Sequence, residues 1–297
     1  MSFSRASPPT PSSREAFTHD SPVDATPSLA SDLWMNQDWS GKIVIVTGGG
    51  GGMGQAAARK FDVAGARTFV FGRTMESLRE TAALSPNITP VACDVADGGS
   101  VSAALDTVLE HGVPDTLIHA AGINTPDRFM AHADPARLVS EESWRRVMEI
   151  NVLGVANMIQ AVSKPMAAAG GGRIVVVSST AGHGYDSYAG VPYTTSKWAV
   201  HGMLMTARMQ LNAHGIVLSE YAPGEANTPL VQKRPVLPSQ THRDAMISTE
   251  DCADALYFIA SQPHSMSVIQ LPVYQPFGGM PPQISMPWLD AFEIKAR

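Results

Sequence analysis

The chain has 297 residues, of which 44% are hydrophobic and 16% charged, so it can bury a sizeable core, and α/β domains of this length often form one unit. Its formal net charge is -6 with no basic block, which argues against a nucleic-acid surface, because phosphate neutralisation needs clustered Lys and Arg. Two cysteines, Cys93 and Cys252, suggest neither a disulfide framework nor a metal site, and no segment approaches the ~18 apolar residues of a membrane span, so a reducing, cytoplasmic setting is expected.

Ser and Pro dominate residues 1–40, as in Ser7-Pro8-Pro9-Thr10-Pro11-Ser12-Ser13. Such a stretch buries too little apolar surface to offset ordering entropy, and a disordered or loosely docked tail is expected. It lacks the apolar core of a secretory signal, and Glu15, Asp20 and Asp24 argue against an organelle transit peptide. Trp34, Met35 and Trp39 are its candidates for packing back on the domain or on a partner subunit.

From Gly41 onward, apolar runs alternate with helical patterns. Residues 42–46 read as a strand, followed by a glycine turn and a helix to about residue 64. Further strands are predicted at 67–71, 88–93, 115–119, 173–177, 216–220 and 267–273, and long helices at 141–169, 192–214 and 249–260. Short apolar strands separated by helices imply a parallel sheet covered on both faces. Right-handed crossovers then give a doubly wound, Rossmann-type α/β fold, with ligands at the carboxyl ends of the strands. No repeat or internal linker interrupts residues 41–297, so a single domain is expected there.

The run Gly48-Gly49-Gly50-Gly51-Gly52-Met53-Gly54 follows a strand and opens an Ala-rich helix, which is no place for a flexible spacer. In that context backbone N–H groups and the helix dipole hold a pyrophosphate, and absent Cβ atoms let it approach. Three glycine spacings fit the run, and the run alone does not choose among them. At the end of the next strand, Gly72 replaces the carboxylate that would bond ribose hydroxyls, and Arg73 offers a guanidinium suited to a 2′-phosphate. NADP(H) is therefore expected over NAD(H). Asp94 and Val95 end the third strand on the same rim, where the carboxylate and a backbone N–H suit an adenine edge.

In Tyr193-Thr194-Thr195-Ser196-Lys197 the tyrosine and lysine share a helix face. A phenol is a poor acid–base catalyst near neutrality, and a nearby ammonium favours the phenolate. Upstream, a strand runs into Ser178-Ser179-Thr180-Ala181-Gly182, where a hydroxyl can bond a carbonyl oxygen alongside the tyrosine. Each feature alone has a bland explanation; their joint order after a glycine turn does not.

Over about residues 41 to 275 the chain resembles the short-chain dehydrogenase/reductase family, in its shorter, single-domain branch. The resemblance rests on Thr47-Gly48-x-x-x-Gly52-x-Gly54, Asp94, His119-Ala120-Ala121-Gly122, Asn151-Val152-x-Gly154, Ser179, Tyr193-x-x-x-Lys197 and Pro223-Gly224-x-x-x-Thr228. It selects Gly48, Gly52 and Gly54 as the matched glycines, with Met53 beside them, and leaves Gly49, Gly50 and Gly51 where the family tolerates side chains. It implies hydride transfer between NADP(H) and a small carbonyl or secondary alcohol. Tyr193 would be the general acid or base, Lys197 would lower its pKa and hold the nicotinamide ribose, and Ser179, rather than Ser178, would polarise the carbonyl. Asn151 would hold a water linking Lys197 to solvent. Ala121 and Gly122 would line the cofactor, Pro223 and Gly224 would pass the nicotinamide, and Thr228 would bond its pyrophosphate or carboxamide region. The resemblance also implies a homodimer or homotetramer, built on the helices holding Asn151 and Tyr193.

Several positions depart from the family pattern. His119 replaces the usual Asn and reads as a hydrogen-bonded core residue, and Gly51 stands where many NADP-dependent members carry a basic residue. The stretch between Ser179 and Tyr193 holds His183, Tyr185, Asp186 and Tyr188 and is expected to line the substrate pocket. Residues 225–245 are expected to form a lid, in which Lys233, Arg234, His242 and Arg243 either meet an anionic substrate group or belong to an exposed polar loop. The segment 268–276 lacks the usual Asp-Gly-Gly ending and weakly resembles members acting on small hydroxy acids and polar alcohols. Met203, Met205 and Met209 are expected in helix packing, at a subunit interface. The competing readings are a catalytically silent NADP-binding regulatory protein, an NAD-dependent alcohol dehydrogenase, and a lyase or isomerase on the same fold.

Overall fold

The structure is a computed structural model that describes residues 37–125, 138–184, 189–233, 237–263 and 265–276. Trp34, Met35, Tyr185, Asp186, Tyr188 and Arg234 lie outside the described residues.

In chain order the elements are β1 (Ile43–Thr47), α1 (Gly52–Val63), β2 (Arg67–Gly72), α2 (Met75–Ala82), β3 (Ile88–Ala92), α3 (Gly98–Leu109) and β4 (Thr116–His119). Then follow α4 (Glu141–Met148), a π-helical turn (Glu149–Leu153), α5 (Gly154–Ala168), β5 (Gly172–Val177), a 3₁₀ turn (Thr180–Gly182) and α6 (Val191–Asn212). The chain continues through β6 (Ile216–Pro223), a 3₁₀ turn (Val231–Lys233), α7 (Gln240–Asp244), α8 (Thr249–Ala260) and β7 (Gln270–Val273).

The strands form one seven-stranded sheet in the order β3-β2-β1-β4-β5-β6-β7, and every neighbouring pair is parallel. This is the doubly wound Rossmann-type sheet expected from the alternating pattern. Strand β1 shows why: all five of its residues are buried, with Ile43 and Ile45 facing one core and Val44 and Val46 the other. The first core packs α3, α5 and α6 on one face; the second packs α1, α2 and α8 on the opposite face. The strand order reverses between β1 and β4, which opens a crevice at their carboxyl ends.

Two features differ from the sequence-based expectation, in the helix at 141–169 and in strands β6 and β7, while Trp39 packs back on the domain as anticipated. The long helix at 141–169 is interrupted at Glu149–Leu153 by the π-turn, where Asn151 bonds outside the helix. Strand β6 runs on to Pro223, because β7 pairs with it as far as Val273, and β7 itself starts only at Gln270. Trp39 is buried against the second core, edge-on to Phe61 at 4.8 Å, and its backbone N–H donates to the Ala64 carbonyl at 2.9 Å. The docked end of the tail thus begins no later than Trp39.

Candidate active site

The glycine turn is held by close backbone approaches. Gly48 and Gly52 have φ of +67° and +56°, in the left-handed region that favours glycine. A Cβ on Gly54 would lie 2.4 Å from the Gly48 carbonyl oxygen, and one on Gly48 would lie 2.9 Å from that of Ala120. One at Gly52 would meet Pro229 Cδ at 3.2 Å and Thr228 Cβ at 3.5 Å, so the segment after β6 returns to the mouth of the turn. The three intervening glycines are not equivalent, which corrects the expectation that all three tolerate side chains. A Cβ at Gly51 meets only Pro229 at 3.9 Å, whereas at Gly49 it would sit 2.6 Å from Val70 Cβ, and at Gly50 2.5 Å from Ser77 Oγ.

The crevice above the switch point is lined by Gly48, Gly72, Arg73, Asp94, Val95, Ala121 and Gly122. Arg73 is exposed at its edge. The Asp94 carboxylate accepts from the Ala96 N–H at 3.0 Å, and the Asp94 N–H donates to Ser100 Oγ at 2.9 Å, which fixes the rim. Thr47 Oγ1 accepts from the Ala121 N–H at 3.1 Å and lies 3.2 Å from His119 Nδ1. His119 is buried, as expected of a hydrogen-bonded core residue. Burial, helped by the Lys197 charge, pushes its pKa down to about 3, so the imidazole is neutral. Met53 sits in the first turn of α1 and packs partly against the second core.

The residues expected to transfer the proton converge beyond the carboxyl end of β5. Strand β5, buried throughout, delivers Ser179, whose Oγ accepts from the Ala181 N–H at 3.1 Å and caps the 3₁₀ turn. Its O–H has no acceptor among the described residues and is left to donate. Gly182 explains how the turn reaches α6: a Cβ there would lie 2.7 Å from the Lys197 carbonyl oxygen. On α6, Lys197 is buried, donates to the Val177 carbonyl at 3.1 Å, and has its Nζ 5.4 Å from the centre of the Tyr193 ring. Burial lowers the Lys197 pKa to about 8, and the Glu220 charge opposes that shift.

Asn151 lies in the π-turn with both amide hydrogens donated and its carbonyl accepting. Its Oδ1 accepts from the Ile123 N–H at 2.9 Å, and its Nδ2 donates to the Ile123 carbonyl at 2.9 Å and to Ser196 Oγ at 3.0 Å. Ser196 Oγ in turn donates to the Tyr193 carbonyl at 2.6 Å. The strand exit after β4, the π-turn and α6 are thereby joined. Gly154 serves the same packing, since a Cβ there would lie 2.7 Å from Val95 Cγ2. At the end of β6, the Gly224 N–H donates to the Val273 carbonyl at 2.8 Å, and Pro223 is buried.

Residues 225–247 leave β6 and return to it. The Asn227 N–H donates to the Ile247 carbonyl and the Ile247 N–H to the Glu225 carbonyl, both at 2.9 Å, closing the base of the loop. His242 and Arg243 are engaged inside this loop rather than presented to a substrate anion. His242 Nε2 lies 2.6 Å from Glu225 Oε2, and Arg243 donates to the Pro238 carbonyl at 3.0 Å. His183 has its Nε2 3.0 Å from Glu220 Oε1. Glu220 and its second partner His201 were missed by motif reading. The available signals were an acid inside a predicted strand and a histidine one helical turn beyond Lys197.

A parallel sheet with a glycine turn at its switch point, and a buried lysine beside a tyrosine and a serine on the same rim, defines a nicotinamide-dependent oxidoreductase. Known proteins agree. The family profile for short chain dehydrogenase matches residues 42–236. The short-chain reductase protein NovJ of Streptomyces niveus is 32% identical over 218 residues, covering 72% of this chain and 77% of that protein. The D-threitol dehydrogenase of Mycolicibacterium smegmatis is 32% identical over 251 residues, covering 80% and 93%. Among solved structures, a single-site variant of actinorhodin polyketide ketoreductase with NADPH superposes with a TM-score of 0.71 at 26% identity, covering 83% of this chain and all of that one. The chain belongs to the short-chain dehydrogenase family, and it is an NAD(P)-dependent oxidoreductase acting on CH–OH groups.

Proposed function

We propose that the enzyme interconverts a small, polar carbonyl compound and its secondary alcohol using NADP(H). The single observation carrying this reading is the buried Lys197 ammonium set 5.4 Å from the Tyr193 ring, with the Ser179 turn packed onto the same helix at Gly182. The glycine cradle that a Cβ would fill at Gly48 and Gly54 suits a pyrophosphate; Ala121 and Gly122 in the crevice and Thr228 beside Gly52 would line the dinucleotide, with Met53, Pro223 and Gly224 proposed to complete its path. When bound, the nicotinamide supplies or accepts the hydride.

The chain's own residues handle the proton. Ser179 donates its O–H to the substrate oxygen and orients it. Tyr193 gives its proton to that oxygen in reduction and takes it back in oxidation. Lys197, an ammonium below about pH 8, stabilises the phenolate and binds the ribose. Because both Asn151 amide hydrogens are spent on Ile123 and Ser196, a water linking Lys197 to solvent would have to donate to Asn151 Oδ1 or to a backbone carbonyl beside it. Asp94 and Val95 take the adenine edge.

For cofactor choice, Arg73 without an acid at Gly72 supports NADP(H), and Gly51 is the feature that speaks for NAD(H). Arg73→Ala should weaken NADPH binding about tenfold or more and leave NADH binding unchanged, as read by cofactor fluorescence. Equal NADPH affinity in the two proteins would sink the assignment. For the chemistry, Tyr193→Phe should abolish turnover across a panel of polyols, hydroxy acids and ketones, with NADPH affinity retained. A stoichiometric change in NADPH absorbance separates this reading from a silent cofactor-binding protein and from a lyase or isomerase. Residues 41–297 are proposed to act as one catalytic domain with a lid at 225–245, in a homodimer or homotetramer.

A further inference from the structure

Glu220 lies in the middle of β6 and is wholly buried, at a position where its strand neighbours are apolar or small. Its two carboxylate oxygens are shared between two histidines. His183 Nε2 is 3.0 Å from one and His201 Nδ1 is 2.9 Å from the other, with the imidazoles edge-on at 4.4 Å. Burial pushes the Glu220 pKa up, but hydrogen bonds led by His201 overcome this and hold it below the usual carboxylate range. From α6, Lys197 and Arg208 also feel its charge; the Ser178 hydroxyl, just past β5, helps to hold the carboxylate ionised, and the register partners of Glu220 are Val176 of β5 and Gln270 of β7.

The ligand atoms of His183, His201 and Glu220 lie within 4.8 Å of one another, close enough for a divalent cation. One observation speaks against that use: Lys197 and Arg208 already place positive charge on the same carboxylate. The cluster is a hydrogen-bonded clamp, and its connections show what it clamps. His183 lies four residues after Ser179, and His201 one helical turn after Lys197. Glu220 precedes Tyr221, the strand partner of Val177, whose carbonyl accepts from Lys197.

We propose that Glu220, bridged to His183 and His201, is a positioning residue for hydride transfer: it locks the Ser179 turn onto the Tyr193–Lys197 helix and supplies the buried counter-charge of the Lys197 ammonium. This rests on the roles given above to Tyr193 and Lys197. Burial weakens the hold of Lys197 on its proton and Glu220 opposes that, so loss of the carboxylate charge must move Lys197 titration further toward acid.

The test compares wild type with Glu220→Gln, which keeps shape and removes charge. Lys197 is titrated directly by NMR of nitrogen-labelled lysine, and kcat and KM are followed against pH. The expected result is an acidward shift of Lys197 titration, and of the alkaline limb of kcat, by about half a pH unit or more, with NADPH affinity unchanged. Unmoved Lys197 titration overturns the counter-charge role. The clamp is tested separately, with Glu220 intact. His201→Leu should lower kcat several-fold, and His201→Asn, whose Nδ2 replaces the ring Nδ1 donor, should restore most of it. His183→Leu and His183→Gln form the equivalent pair for Nε2. Equal impairment of Leu and amide variants overturns the clamp, and these pairs decide it even where Glu220→Gln does not fold. If wild type shows no Tyr193-dependent turnover, the functional reading itself fails, and the lysine titration still reports on Glu220.

Discussion

His119 shows what a single side chain contributes when it is sealed into the sheet. Its ring is buried at the end of β4 beside Thr47 and within the field of Lys197, so protonation is opposed by desolvation first and by the lysine charge second. The folded value of about 3 lies below the ordinary 6.5, so between those values the unfolded chain binds a proton that the folded chain refuses. Stability from this group is complete above about pH 6.5 and is lost as pH falls toward 3, with a slope of up to about 1.4 kcal/mol per pH unit. His119→Asn should therefore lose less stability than wild type between pH 7.5 and 5 in urea titrations, after common losses are subtracted; an identical loss would show that His119 is charged when folded. The strand position made a core role for His119 legible. Its bond to Thr47, across 72 positions, was not, because parallel strand pairing is decided by the whole sheet. Glu220 was harder still: an isolated acid in a strand has meaning only once His183 and His201 are brought to it.

At the scale of elements, the glycine turn was legible as a turn and its register followed from residues far downstream, yet the demands on its interior were not. Those demands come from β2 and α2. Val70 closes over Gly49, Ser77 over Gly50, and nothing tight lies over Gly51. Gly51 is also extended, at φ 173°, which any residue adopts. Gly51→Ser should consequently bind NADPH within about twofold of wild type, whereas Gly54→Val should lose tenfold or more, about 1.4 kcal/mol, because its added Cβ meets backbone that cannot rotate away. Gly49→Ser should fall near Gly54→Val, and Gly50→Ser between, since Ser77 Oγ can turn aside. Fluorescence titration of the four variants gives the ranking; a severe Gly51 variant beside a mild Gly49 one would reverse the packing described. The π-turn was illegible for a related reason. The pattern of 141–169 is helical throughout, and only the pull of Ile123 and Ser196 on Asn151 marks where the helix widens.

At the scale of the molecule, alternation of apolar strands with helices carried the fold, because strands covered on both faces must be apolar throughout and their covering helices must alternate with them. What the alternation leaves open is which helix faces remain uncovered once the core is closed. On α6, Tyr193 and Lys197 face the site, and Val200 and Leu204 the core, while Trp198, Met205 and Met209 remain 49%, 48% and 77% exposed. Leu153, on the π-turn that packs against α6, is 54% exposed. These apolar side chains lie on the two segments that hold Lys197 and Asn151, so association there would buttress the catalytic helix from behind. Sedimentation should accordingly find a dimer or tetramer at micromolar protein. The pair Met205→Glu and Met209→Glu should shift it toward monomer, with kcat falling several-fold as α6 loses its support and with far-ultraviolet dichroism unchanged. A wild-type chain that sediments as a monomer and keeps full specific activity on dilution would assign that face to solvent and leave the first core alone to hold Tyr193 and Lys197 in place.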